Sequence, residues 1–301
     1  SAFPTAIHHA STVIFKNVAA LRARNWQDKN AYTYGLHGTP TTFTLEARLA
    51  EIEGGTHCLL APSGLAAIAM IDLALLNAGD EVLLPDNVYN PNRELGNWLS
   101  ESFGITARYY DPLIGERIAE LIQSNTRLIW TEAPGSVSME VPDIPAICRV
   151  AKEKNVLVAL DNTWSAGLAF RAFDHGVDMV MQALTKYHSG GSDVLMGAVI
   201  TQSKDLHQAI ERAHMRLGLG VSADDTYLVL RGLPTMKLNT EAMLPAVTPE
   251  TIGASSSLPG MRKPPDENVS PTGVPMYKSG TNVPATGIAP PETQLGHDLQ
   301  R

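Results

Sequence analysis

Two side chains near the middle of the chain have the types and the spacing to do chemistry together. Asp161 ends the apolar, β-prone run Val156-Leu-Val-Ala-Leu160, and Lys186 follows closely on the run Met179-Val-Met181. They stand twenty-five positions apart, roughly one crossover unit, so both would emerge on one edge of a parallel sheet. A lysine facing a carboxylate there reads as a buried ion pair. The sharper reading is a grip on pyridoxal phosphate (PLP), with Lys186 as the Schiff-base amine and Asp161 against the pyridine nitrogen. A carboxylate at that nitrogen favours the protonated ring, which withdraws electrons from a carbanion at a substrate α-carbon.

Other residues suit the same ligand. Ala61-Pro62-Ser63-Gly64-Leu65 joins a short apolar run to a helix start. Its small residues let backbone N–H groups approach an anion, and the helix dipole adds to the attraction. The plainer reading of Ser63 is an N-cap. Thr185, next to the lysine, offers a hydroxyl to the same anion. Tyr89 follows the run Glu81–Pro85 and can lie flat on a pyridine ring; alone, it reads as a turn tyrosine.

The elements that must position these residues form an alternating pattern. Candidate strands are 81–85, 107–110, 127–131, 156–160, 179–181 and 194–200; candidate helices are 44–53, 64–76, 114–122, 144–154 and 204–217. Leu45, Leu49 and Ile52 share one helix face, and Gly54-Gly55 stops that helix. Strand–helix alternation predicts right-handed crossovers and an α/β fold around a mostly parallel central sheet, with ligand groups at the carboxyl ends of its strands.

Composition removes several alternatives. The chain has 301 residues, 44% apolar and 18% charged, with 23 Lys and Arg against 31 Asp and Glu for a net charge of −8. An acidic chain without a basic cluster predicts no nucleic-acid partner and no anionic membrane surface. Leu65–Leu76, the longest apolar stretch, contains Asp72 and is too short to cross a bilayer. Cys58 and Cys148 are distant and lack metal-ligand spacing, so neither a disulfide framework nor a metal site is predicted. With no export signal evident, a cytoplasmic protein is expected.

The motifs together resemble the Cys/Met-metabolism family of fold-type I PLP enzymes. The resemblance lies in Tyr34-Gly35-Leu36-His37-Gly38-Thr39-Pro40-Thr41, Ser63-Gly64, Val88-Tyr89, Glu132-Ala133-Pro134-Gly135-Ser136, Asp161-Asn162-Thr163-Trp164, Thr185-Lys186-Tyr187 and Ser192-Asp193, and runs from about His8 to Pro234. It implies a PLP-transferase-like large domain over 41–236 behind an N-terminal arm over 1–40. Pro134-Gly135-Ser136 with Met139-Glu140 leans toward the β-lyases of methionine biosynthesis and transsulfuration, which cleave cystathionine to homocysteine, pyruvate and ammonia. A γ-lyase or γ-synthase of the same family is the alternative, as is a PLP-binding remnant without activity. The resemblance implies that Lys186 forms the Schiff base and moves the α-proton, assisted by Tyr89. It also implies that Asp161 pairs with the ring nitrogen and that Ser63, Gly64, Leu65 and Thr185 hold the phosphate. Tyr34 would reach the phosphate in a neighbouring subunit, in a homodimer or homotetramer acting on a small thioether amino acid.

Three departures from the family pattern stand out. Leu36 occupies the place of an arginine, with His37, Arg22 or Arg24 as candidate replacements. Gly190-Gly191-Ser192-Asp193 replaces Gly-His-Ser-Asp. The third is the stretch 237–301. From Glu241 onward it holds 10 of the 20 prolines and, of Phe, Trp and Tyr, only Tyr277. A disordered tail is predicted there in place of the usual small C-terminal domain with its substrate-carboxylate arginine.

Overall fold

The computed structural model describes residues 4–29 and 31–238, so the Pro-rich stretch from Glu241 lies outside the described residues. Seven strands form one sheet: β1 His57–Ala61, β2 Glu81–Pro85, β3 Thr106–Tyr110, β4 Thr126–Glu132, β5 Leu157–Asp161, β6 Met179–Ala183 and β7 Gly197–Thr201. Their spatial order is β1-β7-β6-β5-β4-β2-β3. Strands β6, β5, β4, β2 and β3 pair in parallel, whereas β7 runs antiparallel to both β6 and β1. The mostly parallel sheet expected from the strand–helix alternation is present.

Among the described residues, seven α-helices accompany it: α1 Val18–Arg22, α2 Pro40–Glu53, α3 Gly64–Leu75, α4 Asn90–Phe103, α5 Ile144–Glu153, α6 Lys204–Leu217 and α7 Ala223–Gly232. Two apolar layers cover the sheet. One gathers Leu45, Leu49, Ile129, Ile147, Val158 and Leu160, the other Ile68, Met70, Ile71, Leu99, Leu128 and Met179. That sandwich explains why the strands read as continuous apolar runs rather than alternating ones. The 3-10 segment Gly115–Glu120 stands where an α-helix over 114–122 was expected. Gly115 adopts a left-handed φ of 54°, which opens the segment with a tight turn instead of an α-helical one.

Helix termini account for the placement of the loops at the carboxyl edge. Ser63, in extended conformation, accepts a hydrogen bond from Ala66 N–H and starts α3. Gly64 makes a close approach, since a methyl there would stand 3.0 Å from the Ala183 Cβ. Thr39 and Thr42 form a capping box at the start of α2, and Gly54 ends it at φ 77°. Among the described residues, no helix is long and apolar enough to cross a membrane, and no cluster of His, Cys, Asp and Glu is suited to a metal ion. Both cysteines are buried and unpaired.

Candidate active site

Three strand ends build the site. The register pairs Glu132 at the end of β4 with Asp161 at the end of β5, and Asp161 with Met181 of β6. Lys186 follows three residues after β6 ends, on the same edge. The predicted pair is therefore together, and Lys186 is close enough for its charge to act on Asp161. Burial pushes the Asp161 carboxyl up. The hydrogen bonds from Thr163 and the positive charge of Lys186 pull it back. Thr163 N–H donates to Asp161 Oδ1 at 3.1 Å. A buried carboxylate so placed, beside an exposed amine, is set to take a cationic partner.

The anion-binding element stands on that edge too. β1 ends at Ala61, opposite Gly197 of β7, which in turn pairs with Ala183 of β6. Within the first turn of α3, Ser63 occupies the Ala66 N–H and its carbonyl takes the Ala67 N–H, which leaves the N–H groups of Gly64 and Leu65 as the helix's offer to an anion. A methyl on Gly197 would overlap the Ser63 carbonyl oxygen, so the helix start is seated directly against β7. The Thr185 hydroxyl contacts the Met196 backbone through weak bonds of 3.4 Å.

Tyr89 is the residue before α4, on the loop after β2, and its side chain is 44% exposed. Its N–H donates to Glu132 Oε2 at 2.7 Å, while the Ser136 hydroxyl donates to Glu132 Oε1 at 2.6 Å. Glu132 carried no assigned role in the sequence; the available signal was an acid directly after the run 127–131. Burial, then the charge of Asp161, pushes its carboxyl up to about 8 against the bonds from Ser136 and Tyr89.

A second buried network holds Asn162, the residue after Asp161. The Glu53 carboxylate accepts from Asn162 Nδ2 at 3.1 Å and from Gln182 Nε2, and the Ser165 hydroxyl donates to Asn162 Oδ1 at 2.6 Å. Burial raises Glu53 to about 7, against the bonds from Gln182 and Asn162. As the last residue of a helix before Gly-Gly, Glu53 gave no sequence cue to this role.

Tyr34 stands apart from this group. It lines a cavity of about 660 Å³ with Phe15, Val18, Arg24 and His37, beside the N-terminal segment. Leu36 lies against Gly220, where an added methyl would stand 3.3 Å from its Cδ1. The leucine is thus directed at the chain's own surface. Arg24 lines the Tyr34 cavity and its charge acts on His37, whose pKa burial and that charge both lower.

The described residues fit a PLP group: a helix start that brings Gly64 close against Ala183, a buried carboxylate at a strand end, and an amine within electrostatic reach. Comparison with known proteins agrees. The family model "Cys/Met metabolism PLP-dependent enzyme" matches residues 1–244. The cystathionine beta-lyase of Bordetella avium is 42% identical over 230 residues, covering 75% of this chain and 58% of that protein. Cystathionine beta-lyase MetC of Escherichia coli is 38% identical over 234 residues, covering 76% and 59% respectively. The crystal structure of cystathionine gamma-lyase from Lactobacillus plantarum, complexed with L-serine, superposes with a TM-score of 0.71 at 28% identity, covering 77% of this chain and 58% of that one. The chain thus spans a little under three fifths of the length of these relatives. Its strand-end carboxylate, neighbouring lysine and closely seated helix start make it a member of the Cys/Met-metabolism family of PLP-dependent enzymes.

Proposed function

We propose that the chain carries the PLP-binding part of a carbon–sulfur β-lyase that converts cystathionine and water to homocysteine, pyruvate and ammonia. The observation that carries this reading is the meeting of Asp161 and Lys186 at the carboxyl edge of the sheet. Bound PLP supplies an electron sink for the pair left at the substrate Cα when its proton departs. Asp161 holds a proton at the ring nitrogen. Gly64 and Leu65 bind the phosphate through their N–H groups, Ser63 and Thr185 line that anion, and the Tyr89 ring covers one face. Lys186 Nζ would anchor the cofactor aldehyde until the substrate amine replaces it there, and the freed amine would then take the proton from Cα and pass it to the departing sulfur as the Cβ–S bond breaks.

The reading also takes two or more copies of the chain in the cytoplasm, with Tyr34 reaching a neighbouring subunit. Its support is the exposure of Tyr34 beside an N-terminal segment whose Ile14 is 94% exposed. The β-lyase names of the relatives favour pyruvate over the 2-oxobutyrate of γ-elimination. The test mixes the protein with PLP and cystathionine and follows colour and keto acid. A visible absorbance band lost in Lys186→Ala, with pyruvate as product, is expected. A band that survives Lys186→Ala would overturn the assignment of the lysine, and 2-oxobutyrate as the main product would overturn the β-specificity.

A further inference from the structure

Tyr89 has an unusual anchorage. It is the residue at the head of α4, yet its side chain makes no capping bond there. Its carbonyl receives the Asn92 and Arg93 N–H groups at 2.8 and 3.2 Å, which ties it to the helix. Its own N–H leaves the helix altogether and donates to Glu132, forty-three residues away in sequence. The same carboxylate is held on its other oxygen by Ser136. Two further bonds stitch the two segments together, from Asn87 Nδ2 to Ser138 Oγ at 2.8 Å and to Glu140 Oε2 at 3.2 Å.

We propose that Glu132 is the positioning residue for Tyr89: it fixes the tyrosine backbone to the end of β4, in register with Asp161, so that the exposed ring is directed over the same edge. The proposal deepens the reading given above and rests on it for the meaning of that edge. Glu132 touches no reacting atom; it acts through Tyr89. Its bonds are all from donors, so both carboxylate oxygens are satisfied. The neighbouring Asp161 charge opposes ionisation of Glu132, and a cation seated on Asp161 would relieve that opposition. Occupation of the site and a firm hold on Tyr89 are thereby linked.

The test compares wild type, Glu132→Ala and Glu132→Gln. In the chain without PLP, amide hydrogen exchange at Tyr89 reads the bond directly. Removal of this hydrogen bond is expected to speed it about tenfold in Glu132→Ala, with the Trp130 amide unchanged. Glu132→Gln keeps an acceptor oxygen and is expected to stay within about twofold of wild type. With PLP added, Glu132→Ala is expected to lose about half of the circular dichroism induced in the cofactor band, with kcat falling more than KM rises, and Gln to rescue both. Where Glu132→Ala fails to fold, Glu132→Asp, which retracts the carboxylate by one methylene, is expected to speed Tyr89 exchange in the same direction. Unchanged Tyr89 exchange in the variant that folds, or Gln no better than Ala, overturns the proposal. Absence of any cofactor band in wild type would instead overturn the PLP reading and leave the exchange result standing.

Discussion

His188, two residues beyond Lys186, is 1% exposed, and neither ring nitrogen has a hydrogen-bond partner. Burial alone pushes its pKa down to about 4 from 6.5. The unfolded chain therefore binds a proton at a higher pH than the folded one. Folded stability is complete above the unfolded value and is lost as pH falls from about 6.5 toward 4. At pH 5 the loss from this one group corresponds to the distance between 5 and 6.5, about 2 kcal/mol at ~1.36 kcal/mol per pH unit. Glu53 and Asp72, raised to about 7, act with the opposite sign, so the wild-type curve alone isolates nothing. The difference between wild type and His188→Leu does isolate it. At pH 8 the variant is expected to equal wild type or exceed it by about 1 kcal/mol, because two unpartnered buried nitrogens disappear. At pH 5 its advantage is expected to be about 2 kcal/mol larger. Urea unfolding of both chains at the two pH values, without cofactor, measures this. An equal offset at pH 8 and pH 5 would refute the reasoning, since it would require the imidazole to titrate alike in the folded and unfolded chains.

Two other perturbations test the packing around the site. Gly197→Ala drives a methyl into the Ser63 carbonyl oxygen, with Gly64 Cα 3.0 Å away. It is expected to cost about 2–3 kcal/mol in thermal unfolding and to weaken PLP binding in an absorbance titration. Trp130→Phe removes the Nε1–H that donates to Asp72 Oδ1 at 2.8 Å, leaving a carboxyl that is 1% exposed without a partner. Burial has already raised that carboxyl to about 7. The loss, about 1–3 kcal/mol, is expected to be larger at pH 8, where Asp72 must ionise, than at pH 5, where it stays protonated.

Much of this architecture was legible in the sequence, for definable reasons. A strand buried on both faces writes itself as an unbroken apolar run, so 156–160 stood out, and the carboxylate at its tip could be placed on an edge before any coordinates. Crossover length set Lys186 on the same edge as Asp161, just past the end of β6, while its role came from the family resemblance. What escaped depends on contacts distant in sequence. α4 is absent from the candidate helices, and it carries Gly96 in its middle. In the fold that glycine lets the helix lie on β2, where an added methyl would stand 2.8 Å from Leu84 Cδ1. β1 was recognised only as a short apolar run, since its pairing partner lies at 197–201. α7 was not seen, being short and mixed in polarity. The candidate strand 194–200 begins in fact at Gly197, where the antiparallel ladder to β6 starts. Glu132 and Glu53 look like ordinary acids at element ends, and what they hold, Tyr89 in one case and Asn162 and Gln182 in the other, lies far along the chain.

The insertion of β7 between β1 and β6 sets a timetable for biosynthesis. Residues 57–61 leave the ribosome long before their sole neighbour in the sheet, and must wait, edge bare, until position 201 has emerged. Only then does the start of α3 at Ser63 and Gly64 come to rest against Gly197 and Ala183. A ligand that needs this corner of the edge would meet it complete only after β7 has been made.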